Sequence, residues 1–153
     1  MNLHEMPPPA TLSFDELPSD WPSRPLTDPL IASGVVDLCV PLRDRSAWSV
    51  AVLLCDASSR LLQPCLVGDV PRVCNDLDKV RLLKPFAQFA RERDGGLLVV
   101  RARPGERAAD EEDRSWARVA QRACEVRSVR LVGVWLATPR GVCRLDDPHR
   151  LAA

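Results

Sequence analysis

Three apolar runs set the terms for this chain: "WSVAVLLCD" (Trp48–Asp56), the buried-strand stretch 96–102, and "VRLVGVWLA" (Val129–Ala137). A strand wetted on one face alternates polar and apolar residues. A run that is apolar nearly throughout belongs to a sheet covered on both faces. Helices are the natural cover, and the residues between the runs supply them. Asp56-Ala57-Ser58-Ser59 is turn chemistry, and "RLLQPCLV" (Arg60–Val67) reads as an antiparallel return strand whose Pro64 marks an edge or a bulge. "VVDLCVPL" (Val35–Leu42) reads as a first strand ended by Pro41. After a loop over Asp69–Asp78, Leu82, Leu83, Phe86, Phe89 and Ala90 mark the apolar side of a helix. Pro85 is expected near its first turn and Gly95 just past its end. Asp110 can cap a second helix whose core face is Trp116, Val119, Ala120 and Ala123, with Glu111, Glu112 and Asp113 at the positive end of its dipole. A turn over Thr138–Gly141 and a short strand "VCRL" close the pattern. The order is three strands, helix, strand, helix, two strands. It predicts an α/β fold, an α+β sandwich with a mixed sheet of about six strands and two main helices.

At 153 residues and 46% hydrophobic, the chain suits one domain with some tail. Residues 1–30 hold seven of the fourteen prolines. Residues 1–33 are therefore expected to be a flexible, acidic tail, with one domain over 34–147 and a C-terminal tail over 148–153. Up to residue 35 five acids (Glu5, Asp15, Glu16, Asp20, Asp28) face one base (Arg24), a net of −4, so the remainder carries +4. That body is too weakly basic to argue for nucleic acid by itself. Within the tail, "LSFDELPSDW" mixes acids with Phe14, Leu17 and Trp21, which makes those three candidate partner-binding residues, either for another protein or for the chain's own domain.

The six cysteines form no C-x-x-C pair, and most sit inside apolar runs. Buried free thiols in a reducing compartment are the expectation, as is a cytoplasmic protein with no signal peptide. No stretch approaches the ~20 apolar residues of a membrane span.

The chemistry-bearing stretch is "VVRARPGERAADEED" (Val99–Asp113): a strand ending at Arg101, a proline-glycine loop and an acidic helix start. Together with "VAVLLCDASSRLL" before it and "VRLVGVWLATPRGV" after it, this layout resembles the JAB/MPN metalloprotease-like superfamily, and most of all its bacterial RadC-like branch. The likeness runs from about Trp48 to Leu145. It implies an opening hairpin, a helix, a strand leading into an H-x-H-P motif, a helix beginning near S-x-x-D, and a closing hairpin. In that family two histidines and an aspartate hold zinc, with a water in the open position and a glutamate to take its proton. Here the histidine positions match Arg101 and Arg103, the proline Pro104, the serine Asp110, the aspartate Asp113 (followed by Arg114) if the loop is one residue shorter, and the glutamate falls near Trp48. Arginine is always protonated and has no lone pair to offer. The only histidines, His4 and His149, lie at the two ends. The expectation is no catalytic zinc, no cofactor and no enzyme of this type.

Arg101, Arg103, Asp113, Arg114 and Trp48 are thus candidate binding residues. Two readings of the arginines stay open: they attract an anion beside a helix start, or they pair with Asp110, Glu111, Glu112 or Asp113 and close the pocket. Ser46, Ser58, Ser59 and Ser115 have no histidine within the fold to activate them, and Cys55 and Cys65 read as packed core. Metal-free members of the superfamily generally act as protein-binding scaffolds, so the resemblance implies a non-catalytic interaction module that binds another protein or itself. The alternative is anion, nucleotide or nucleic-acid binding through an Arg101/Arg103 face.

Overall fold

A computed structural model describes residues 11–146. The protein is an α+β structure with one mixed five-stranded sheet. The strands are β1 (Ser49–Cys55), β2 (Leu61–Val67), β3 (Gly96–Ala102), β4 (Arg130–Thr138) and β5 (Gly141–Arg144). The helices are α1 (Pro29–Cys39), the single turn α2 (Leu42–Arg45), α3 (Asp76–Glu92) and α4 (Glu111–Val126). The sheet order is β2-β1-β3-β4-β5. β1 is antiparallel to both β2 and β3, β3 is parallel to β4, and β5 returns antiparallel on β4.

This connectivity places the helices. β2 and β3 run in the same direction, joined over α3, and β3 and β4 are joined over α4. Both crossovers step the same way across the sheet, so right-handed connections put both helices on one face. Val50, Val52, Leu54, Leu97, Val99, Val134 and Leu136 form that face, and Leu83, Ala87, Trp116 and Ala120 pack on it. The alternate residues Ala51, Leu53, Leu98, Val100 and Ala137 point to the other face, where α1 covers them with Ile31, Val35 and Val36. β1 and β3 are buried at every position, as their continuous apolar sequence requires. β2 is the outer strand, with a register irregularity opposite Leu54/Cys55 and with Pro64 near its middle, which agrees with the edge or bulge expected there.

Four expectations need correction. There are five strands, not about six. The first strand expected over Val35–Leu42 is instead the end of α1 and the start of α2. Asp28 accepts a hydrogen bond from the Leu30 amide and Pro29 occupies the first turn, so the chain enters a helix before the apolar run begins. Ile31, Ala32, Val35 and Val36 then recur at helical spacing on the buried side. Pro85 sits inside α3, not in its first turn, because Asn75 caps the helix ten residues earlier by accepting from the Asp78 amide.

The fourth correction concerns the tail. Residues 12–33 are packed on the domain. The Leu12 amide donates to Ser33 Oγ at 2.8 Å, the Phe14 amide to Asp37 Oδ2 at 2.9 Å, and the Leu26 amide to the Ser59 carbonyl at 2.8 Å. The folded unit therefore begins well before residue 34. The prolines Pro7–Pro9, both histidines and the expected tail over 148–153 lie outside the described residues.

Candidate functional site

The carboxyl ends of β2, β3 and β4 share one edge of the sheet with the amino ends of α3 and α4. In open α/β sheets this edge is where loops converge and ligands bind. Strand alternation aims the arginines. Leu97 and Val99 face the α3/α4 layer, so Arg101 does too, and Arg103 continues the same parity. The α4 start stands directly over them. Asp110 and Asp113 cap it reciprocally: the Asp113 amide donates to Asp110 Oδ1 at 2.7 Å and the Asp110 amide to Asp113 Oδ2 at 2.9 Å.

Asp113 is fully buried, and Arg101 and Arg103 are 1% and 5% exposed. Arg101 Nε donates to Asp113 Oδ1 at 2.8 Å. Arg103 Nε reaches both carboxylate oxygens at 3.0 and 3.1 Å, and its Nη2 reaches Oδ2 at 2.7 Å. The remaining Arg103 hydrogens bind the carbonyls of Pro104, Glu106 and Ala108, so this one side chain shapes the 104–109 loop. Burial alone pushes the Asp113 carboxyl up. The hydrogen bonds and charge of Arg103, the Asp110 amide and Arg101 overcome this and hold it below its ordinary value. Arg103 is raised in turn, chiefly by its hydrogen bond to Asp113.

Trp48 joins the cluster from the start of β1. The Arg101 and Arg72 guanidinium carbons lie 5.3 and 5.4 Å from its ring centroid. Its φ of +52° is an uncommon left-handed conformation for a bulky residue. Arg114 is not part of the cluster; it is exposed and donates to the Ala109 carbonyl. Of the five candidate binding residues, the structure brings four together.

The donor set does not fit a metal. Arg101 and Arg103 are cations with no lone pair to offer, and Asp113 spends its oxygens on two guanidiniums and an amide. Among the described residues no group of three His, Cys, Asp or Glu is placed to hold an ion. The exposed arginine face also fails to appear, because Arg101 and Arg103 are buried and paired and so present nothing to a nucleic-acid backbone. Cys55 is buried in β1, and that burial pushes its thiol up to about 12, which matches the packed-core reading. Cys65 is half-buried against the α3/α4-side core.

The three tail candidates divide. Leu17 and Trp21 pack against the α1-side core, while Phe14 stays exposed. Leu17 lies against Gly34, where a Cβ would stand only 2.5 Å from Leu17 Cδ2.

Two buried ion pairs escaped the sequence reading. Lys79 is 1% exposed and donates to Glu112 Oε1 at 2.9 Å and to Ser115 Oγ at 2.7 Å. A signal existed, since Lys79 falls on the apolar stripe with Leu83, Ala87 and Ala90. Arg45 binds the carbonyls of Val40, Thr138 and Asp37 and the Asp37 carboxylate, tying α1 and α2 to the end of β4. Nothing in its local sequence marks it. Comparisons with protein-family models, with curated proteins and with solved structures find no match.

Proposed function

We propose that this domain is a non-catalytic protein-interaction module on a degenerate JAB/MPN-like scaffold of the RadC-like kind. The observation that carries the reading is the state of Asp113. On the resemblance it matches the family's zinc-binding aspartate, and Arg101 and Arg103, which match the two histidines, bind it at 2.8 and 2.7 Å. The element order supports the scaffold assignment: a hairpin, a helix, a strand running into the arginine pair, a helix starting at the aspartate, and a closing hairpin. The partner is another protein or a second copy of the chain. Support for a contact surface comes from β2, an outer strand of seven residues without a charge, on which Leu62 and Leu66 are 53% and 44% exposed.

The test is capture of a defined partner from extracts of the source cells, compared across three proteins. Wild type and Arg114→Ala are expected to retain the same partner, or to self-associate equally. Leu62→Asp combined with Leu66→Asp is expected to lose it, while melting as wild type does. A strict monomer that retains nothing contradicts the reading. So does a hydrolase activity of the wild type that a metal chelator removes and zinc restores.

A further inference from the structure

β2 and β5 are the two edges of the sheet. Natural edges are blunted by brevity or by charge, because their free N–H and C=O groups invite another strand. β5 has both devices: it is four residues long, and it carries Arg144, tied to Asp146 at 2.7 Å. β2 is seven residues long and has no charged residue. Its protections are Pro64, which takes one donor out of the ladder, and the register irregularity opposite Leu54/Cys55.

The side chains of β2 divide. Cys65 and Val67 pack on the core under α3 and α4, and Leu61 packs on the α1-side core. Leu62 and Leu66 belong to neither core and stand exposed, one on each side of Pro64.

Charge at the two ends of the strand shows what fits this edge. Arg60 stands exposed just before β2; of its guanidinium nitrogens Nε is engaged, by Asp56 at 2.9 Å. Asp69 stands exposed just after β2 and enters no ion pair among the described residues. The edge thus runs from positive through apolar to negative, a pattern complementary to itself read backwards. A second β2 laid antiparallel and centred on Pro64 sets Leu62 of each copy opposite Leu66 of the other. It also brings Arg60 of each copy beside Asp69 of the other, once at each end. A parallel copy would set Arg60 against Arg60 and Asp69 against Asp69, and like charges across a strand pair are unfavourable. The antiparallel arrangement has a two-fold axis normal to the sheet, so it closes at two chains and keeps the α3/α4 layers of both on one side.

We propose that β2 pairs antiparallel with β2 of a second copy of this chain, joining the two sheets into one. The proposal rests on the interaction-module reading and names its partner.

The first readout is sedimentation velocity of the full chain over two decades of concentration. A monomer–dimer equilibrium with no larger species is expected. The second is amide exchange: residues 61–67 are expected to slow as concentration rises, with β5 unchanged. Arg60→Glu and Asp69→Lys are each expected to weaken the dimer about tenfold, since each sets like charges together at both ends of the strand pair. The two changes combined are expected to restore it. No contact within one chain can bring about that rescue, because the two positions flank opposite ends of β2. The exchange readout needs no variant, so it decides the case if Asp69→Lys, at a φ of +56°, folds poorly. A monomer at every concentration that still retains another protein overturns the self-pairing and leaves the interaction reading intact. A monomer that retains nothing overturns both. A dimer that leaves exchange over 61–67 unchanged, or that well-folded combined variants fail to restore, overturns the assignment to β2.

Discussion

Asp113 is the residue on which the sheet edge turns. It accepts from Arg101, Arg103 and the Asp110 amide while shielded from water, so removing its charge strands two buried guanidiniums. Breaking a buried pair by deleting one partner costs about 3–5 kcal/mol. Asp113→Asn, close to isosteric, is expected to lose that much in urea denaturation, whereas Arg114→Ala is expected to stay within about 0.5 kcal/mol of wild type. The same residue sets an acid limb. Its folded pKa lies below the unfolded value of about 3.9, so its contribution is complete above that pH and is lost as pH falls through the folded value. Wild type is expected to lose stability steeply below about pH 4. Asp113→Asn is expected to show a flatter acid limb. An acid limb of equal slope in both proteins would mean that Asp113 is not ionised against the arginines.

At the scale of elements, α3 and α1 carry the informative tension. Pro85 lies exposed in the interior of α3, where it can donate no hydrogen bond to the preceding turn. Pro85→Ala is expected to stabilise the protein by about 1–3 kcal/mol, read as a higher urea midpoint with an unchanged slope. Gly34 is the close contact between α1 and the segment before it. Gly34→Ala is expected to displace Leu17 and to speed amide exchange over residues 13–24, with β1 and β3 unaffected.

What sequence could read follows the same lines. β1, β3 and β4 were legible because strands buried on both faces leave unbroken apolar runs. The α4 cap was legible because Asp110 and the acids after it stand just before an amphipathic pattern, where a cap and the helix dipole both favour them. α1 was not, since a short apolar run flanked by prolines reads equally as strand or buried helix, and the deciding signal was the Asp28-Pro29 pair. At the site, the nearness of Arg101, Arg103 and Asp113 was legible from a strand that ends just before an acidic helix start. The burial that turns an arginine pair from a ligand face into a structural knot was not. It depends on α4 and on the loop over Arg72 lying across the edge, which no local pattern encodes.

The whole molecule is a three-layer arrangement, with α1 and its preceding turns on one face of the sheet and α3 and α4 on the other. Charge pairs close its carboxyl edge: Arg101–Asp113–Arg103 over β3, Lys79–Glu112 between α3 and α4, and Arg45–Asp37 at the end of β4. Arg101 and Arg103 hold Asp113 at this edge, and the proposed scaffold assignment makes that pair the replacement for a zinc site. The most direct measurement is the ¹³Cγ resonance of Asp113 in untagged protein, followed through a zinc titration to one equivalent and beyond. The resonance is expected to stay where an ionised, arginine-bound carboxylate belongs, whatever zinc the cysteines take up elsewhere. A shift of that resonance that saturates at one zinc per chain would contradict the claim.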